Sequence, residues 1–205
     1  MAENRAGVLL GELLLSAGII TEGDLQDALR RQTASGEPLA KILVDMGAVA
    51  PRQLERALRA QARLRGRPGD DRPFVLVVDD ENEVGAILAE VLEGAGYRVG
   101  VAQNGTEALA AILATDQPRP VAVVLDLVLP GRSGVEILAR LRQDPETRDL
   151  AVIILSGRPD LETEVRSRDL AISGFLAKPV SARRLVEVVE AALADAPRAP
   201  ATAQP

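Results

Sequence analysis

Along the first 65 residues, apolar positions recur at helical spacing, and the whole pattern returns once, 29 residues later. Leu10, Leu14, Gly18, Ile20, Leu25, Ala28, Leu29 and Gln32 have counterparts in Leu39, Leu43, Gly47, Val49, Leu54, Ala57, Leu58 and Gln61. Each copy reads as two helices around a tight corner. Gly18 and Gly47 stand where a first helix stops in a left-handed residue. Thr21, with Asp24 three residues on, reads as a capped start for the next helix. Pro51 falls at a first helical position in the second copy. One such helix pair cannot bury its apolar side alone, so the two copies are expected to pack together.

The pattern changes after a break rich in Gly, Pro and charge, and residues 66–73 read as a linker. Short β-branched runs then alternate with amphipathic stretches. The runs at 74–78, 97–101, 121–125, 152–155 and 174–176 are followed by helical patterns at 84–92, 106–113, 135–141, 161–170 and 185–193. Five strand–helix units over 74–195 predict an α/β domain with a five-stranded, parallel, doubly wound sheet. The expected organisation is thus a small all-α tandem-repeat domain (1–65), a linker, this α/β domain and a disordered tail from 196 to 205, where Ala, Pro, Thr and Gln dominate.

Composition narrows the chemistry. The apolar fraction of 47% is enough for packed cores, and with only Phe74, Tyr97 and Phe175 as aromatics those cores must be aliphatic. There is no cysteine and no histidine, which removes disulfides, thiolate chemistry, a Ser-His-Asp triad, a His-ligated zinc and a phosphohistidine carrier. The net charge of −6 is carried beyond residue 65, and neither half has the basic stripe of a DNA reader. No signal peptide or membrane-spanning run is seen, so a soluble, cytoplasmic protein without membrane insertion is expected.

In doubly wound sheets, ligands bind at the carboxyl ends of the strands. There the sequence places Asp79 and Asp80 after the first strand, Asp126 after the third, Ser156 after the fourth and Lys178 after the fifth. Three carboxylates in one place repel unless a cation neutralises them. Oxygen donors alone select a hard ion, and a small shared site favours Mg²⁺. A metal-bound carboxylate can accept a phosphoryl group, with Ser156 and Lys178 holding its oxygens. Lys178 is one of two lysines in a chain that otherwise uses arginine, and a compact ammonium suits a small anion site.

These residues lie in Val77-Val78-Asp79-Asp80-Glu81, in the stretch from Asp126 to Gly134, in Ser156-Gly157 and in Phe175-Leu176-Ala177-Lys178-Pro179. With gaps of 30 residues from Asp126 to Ser156 and 22 from Ser156 to Lys178, residues 73–195 resemble a two-component receiver domain. The resemblance implies a flavodoxin-like fold and Asp126 as phosphoacceptor. It makes Asp79, Asp80, Asp126 and the Val128 carbonyl the Mg²⁺ ligands. Ser156 becomes the switch hydroxyl, Phe175 the aromatic switch and Lys178 the phosphate contact. It places Val128 and Arg158 beside the path of the hydrolytic water, where a long arginine would cover the phosphoryl group. It implies a histidine kinase or phosphotransfer protein as donor, and a switch rather than an enzyme with its own substrate. Output is then expected through protein–protein contact.

The repeat resembles the N-terminal domain of type II secretion and type IV pilus assembly ATPases, which implies a downstream partner in a secretion or pilus system. One branch of that family binds cyclic di-GMP through two motifs opening Arg-Leu-Gly. Here the openings are Leu9-Leu10-Gly11 and Pro38-Leu39-Ala40, without either arginine. A cyclic di-GMP receptor modulated by the receiver is therefore the alternative function, behind a helical module that docks on protein.

Overall fold

The computed structural model describes residues 2–65, 72–114, 119–131 and 133–195. Most of the expected linker and the whole of the expected tail lie outside the described residues.

The amino-terminal repeat folds as four helices, α1 (Ala2–Ser16), α2 (Glu22–Ser35), α3 (Leu39–Asp45) and α4 (Pro51–Arg65). The 29-residue period is a structural one. Gly18 and Gly47 have φ of 65° and 70°. The two residues after each glycine donate to the same earlier carbonyl: Ile19 and Ile20 to Leu14, Ala48 and Val49 to Leu43. Only a residue without a Cβ penalty enters this left-handed corner cheaply. At the start of α2, Thr21 Oγ1 accepts from the Asp24 N–H (3.2 Å) while Asp24 Oδ2 accepts from the Thr21 N–H (2.9 Å). That reciprocal pair is the capping box that the spacing announced. Equivalent residues of the two copies meet in one core. Leu10 with Leu39, Leu14 with Leu43, Ile20 with Val49, and Ala28 with Ala57 are all buried there.

The α/β part has strands β1 (Phe74–Val78), β2 (Arg98–Ala102), β3 (Ala122–Asp126), β4 (Ala151–Ser156) and β5 (Gly174–Ala177). Between and after them run α5 (Asn82–Gly94), α6 (Gly105–Leu113), α7 (Gly134–Gln143), α8 (Pro159–Ser167) and α9 (Ala182–Asp195). The sheet is parallel throughout, in the order β2-β1-β3-β4-β5. This is the flavodoxin-like winding, whose strand order reverses between β1 and β3. β1, β3 and β4 are buried along their whole length, which is why they read as unbroken apolar runs rather than alternating ones. Leu88 and Leu92 of α5 pack with Leu185 and Val189 of α9 on one face. α6, α7 and α8 cover the other. The helical pattern over 161–170 ends early, at Ser167, because Asp169 turns left-handed (φ 52°). The Leu170 N–H then folds back onto the Val165 carbonyl.

The two parts share one core. Leu9 and Leu13 of α1 and Ala60 and Leu64 of α4 join the same buried cluster as Phe74, Leu76, Ala108 and Ile112. α4 lies over the edge strand β2, and α1 lies beside α6. The contact is close at Gly100, where a Cβ would stand 2.3 Å from the Leu64 carbonyl oxygen and 2.9 Å from the Phe74 ring. The Arg98 guanidinium stacks 4.3 Å above that ring.

Candidate functional site

The side chains of Asp79, Asp126, Ser156 and Lys178 stand where a strand ends and the chain must turn. Asp79 follows β1, and its N–H continues the sheet by donating to the Ala102 carbonyl (3.0 Å). Its Oδ1 accepts from the Glu81 N–H (2.9 Å), closing the turn into α5. The side chain is fully buried, while neighbouring Asp80 is exposed. Asp126 ends β3 and is 4% exposed; its Oδ1 accepts from the Val128 N–H (2.8 Å). Ser156 ends β4, is equally buried, and accepts at Oγ from the Arg158 N–H (3.1 Å). Lys178 follows β5, its N–H on the Ser156 carbonyl (3.0 Å) and its bond to Pro179 cis.

Lys178 brings the set together. Its Nζ reaches across the end of β4 to donate to Asp126 Oδ2, and to Asp79 Oδ2 at 2.8 Å. Burial alone disfavours the ammonium. Hydrogen bonds and charge attraction from Asp126 and Asp79 outweigh that, and hold its pKa above the ordinary lysine value. Asp79, Asp80 and Asp126 each present a carboxylate oxygen within 4.8 Å of the others. Three negative charges against one ammonium leave a net charge of −2. An all-oxygen donor set carrying that charge matches a hard divalent cation such as Mg²⁺.

The remaining sequence-predicted positions fall around this centre. Ser156 and Phe175 share a sheet face, because β4 and β5 pair Ile154 with Phe175 and Ser156 with Ala177. Phe175 is partly buried against the core on that side. Val128 is 48% exposed in the loop after Asp126. Arg158 is not laid over Asp126 as its length suggested. Its guanidinium makes a two-point pair with Asp160 (2.9 and 2.7 Å) on the exposed start of α8. Of the repeat openings, Leu9 is fully buried, and Leu10 and Leu39 sit in the helical core.

Two site residues escape a reading by residue type. Gly134 opens α7, and a Cβ there would lie 2.4 Å from the Asp126 carbonyl oxygen and 2.6 Å from Leu127 Cα. Only glycine lets the helix start so close behind Asp126. Ala102 supplies only its backbone carbonyl to Asp79. No chemistry-bearing side chain marks either position; the sole sequence signal is a glycine opening a helical pattern.

The sheet order and the carboxylate cluster define a doubly wound α/β protein with an acidic, all-oxygen cluster at its strand ends. Residues 75–190 match the response regulator receiver domain family, and the chain belongs to that family. It is 34% identical over 119 residues to the phosphate regulon transcriptional regulatory protein PhoB of Pseudomonas aeruginosa. That alignment covers 58% of this chain and 51% of the relative. An uncharacterized transcriptional regulatory protein of Bacillus subtilis is 35% identical over 124 residues, covering 60% and 52%. The chain thus spans about half the length of these curated relatives. Among solved structures, a putative response regulator from Chloroflexus aurantiacus superposes with a TM-score of 0.55 at 35% identity, covering 60% of this chain and 99% of that one. A sensor protein from Polaromonas gives 0.56 at 30% identity, covering 62% and 99%. Among the described residues, no helix is long and apolar enough to cross a membrane.

Proposed function

We propose that the protein is a phosphorylation-controlled response regulator in which Asp126 accepts a phosphoryl group. One observation carries the reading: a buried Asp126 carboxylate, held between the Val128 N–H and the Lys178 ammonium, with Asp79 and Asp80 completing an oxygen cluster. A carboxylate oxygen of Asp126 forms the new O–P bond as the bond from phosphorus to the donor's leaving atom breaks, giving an acyl phosphate. Asp79, Asp80, Asp126 and the Val128 carbonyl would hold Mg²⁺, which neutralises charge on the phosphoryl oxygens when bound. Lys178, whose ammonium already reaches Asp126 Oδ2, is placed to hold a phosphoryl oxygen. The Ser156 hydroxyl holds another. Because Ser156 and Phe175 share a face, movement of the hydroxyl toward the phosphoryl group opens space for the ring, and the face around α8 and α9 changes with it.

The donor in this reading is a histidine kinase or phosphotransfer protein, and the output is protein–protein contact, with a secretion or pilus component as the partner the helical repeat suggests. The test is incubation with Mg²⁺ and acetyl phosphate. One phosphoryl group is gained by the protein and none by Asp126→Asn; full labelling of that variant overturns the assignment.

A further inference from the structure

The helical module does not merely precede the receiver; it touches the strand that holds a metal-site carboxylate in place. α4 approaches β2 so closely at Gly100 that any side chain there would strike the Leu64 carbonyl. Two residues along the same strand, the Ala102 carbonyl accepts the Asp79 N–H. Ala102 and Leu127, the residue after the acceptor, are both buried in the core that Leu9, Leu13, Ala60 and Leu64 of the module complete. A cleft of about 660 Å³ separates the two parts further out. Leu13, Ala17 and Ala57 form the module's wall, and Thr106, Pro130 and Gly131 the receiver's. Pro130 and Gly131 belong to the loop that leaves Asp126. Two routes therefore join the module to the acceptor site: β2 to Asp79, and the shared core to the acceptor loop.

From this geometry we infer that the docked module is part of the scaffold that positions the acceptor site, so that docking and occupation of the site favour each other. The inference rests on the phosphoacceptor reading. Gly100 and Leu64 act as positioning residues, through β2, on Asp79. A metal ligand held rigidly by its backbone loses less freedom on binding the ion, and a displaced one binds and reacts more slowly. By linkage, whatever docking contributes to metal binding, metal binding returns to docking by the same factor. The chain's own helical module is then the first element to feel phosphorylation.

The experiment is amide hydrogen exchange on the full chain, alone, with Mg²⁺, and with Mg²⁺ plus acetyl phosphate. Mg²⁺ slows exchange in α4 and β2, and phosphorylation slows it further. In parallel, Ala60→Glu places a charge in the interface from the module's side, and Gly100→Leu wedges it from the strand. Each accelerates α4 exchange, weakens Mg²⁺ binding and slows labelling of Asp126 by about fivefold or more, the lower end of ordinary coupling between sites. Unchanged labelling and Mg²⁺ affinity in a variant whose α4 has been released overturns the inference. So does wild-type α4 exchange that ignores both Mg²⁺ and phosphodonor, whether or not the variants fold. If the wild type takes no phosphoryl group, the proposed function fails instead, while the Mg²⁺ arm still decides the coupling.

Discussion

Lys178 Nζ stands 2.8 Å from Asp79 Oδ2, although the two residues are 99 positions apart and lie at the ends of β5 and β1, with two strands between them. The same ammonium holds Asp126. One ammonium is thus shared between two buried carboxylates. That arrangement has consequences for stability, metal binding and turnover.

Lys178→Met leaves Asp79 and Asp126 facing each other without their shared cation. Removing one partner of a largely buried ion pair is costly. Since Lys178 keeps 23% side-chain exposure, a loss of about 1–3 kcal/mol in Mg²⁺-free buffer is expected rather than the full buried-pair value. Mg²⁺ takes over the neutralising role, so it stabilises the variant more than the wild type. Urea unfolding with and without Mg²⁺ measures both effects, and equal stabilisation of the two proteins contradicts a common site for ammonium and metal.

Asp80→Ala removes the exposed member of the cluster. The fold should hold, because Asp80 is exposed and its loss relieves repulsion. Mg²⁺ affinity should fall on the order of tenfold, since affinity at such sites follows the ligand charge count, and labelling by acetyl phosphate should slow with it. Titration calorimetry checks this. Unchanged affinity means that Asp80 is not a ligand.

Gly134→Ala drives a methyl group into the backbone of Asp126 and Leu127. Neither can yield without moving the acceptor. A destabilisation of about 1–3 kcal/mol is expected, as for other overpacked sites, together with slower labelling. Thermal and urea unfolding at wild-type levels would show that α7 shifts freely and that the close approach is dispensable.

The lifetime of the phosphorylated state tests the loop after the acceptor. Val128 is half-exposed and cannot hydrogen-bond a water, whereas an amide there could orient one for attack. Val128→Asn should shorten the phosphoryl lifetime severalfold. Arg158 is engaged by Asp160 rather than by the acceptor, so Arg158→Glu should change the decay less. Decay after donor removal ranks the two, and a larger effect of Arg158→Glu would mean that the pair with Asp160 opens when the site is occupied.

Much of the architecture is legible in the residues themselves. Helix corners at Gly18 and Gly47 and the capped start at Thr21 are local. Each depends on one backbone angle or a three-residue spacing, and the 29-residue repeat announces that the two copies share a core. Strands buried on both faces betray themselves as apolar runs, and a parallel sheet gathers the residues after those runs at one edge. Chain order and strand pattern therefore suffice to place Asp79, Asp126, Ser156 and Lys178 together. Which surfaces meet was settled by the folded chain alone. The Arg158–Asp160 pair, the need for glycine behind Asp126, and the seating of α4 on Gly100 all depend on distances between backbones that no periodicity encodes. A residue's type states what it can bond, but a glycine without a side chain announces nothing until another chain segment is found 2.3 Å from where its Cβ would be. For that reason the sequence led to two domains joined by a linker, and packing turned the first into a wall of the second.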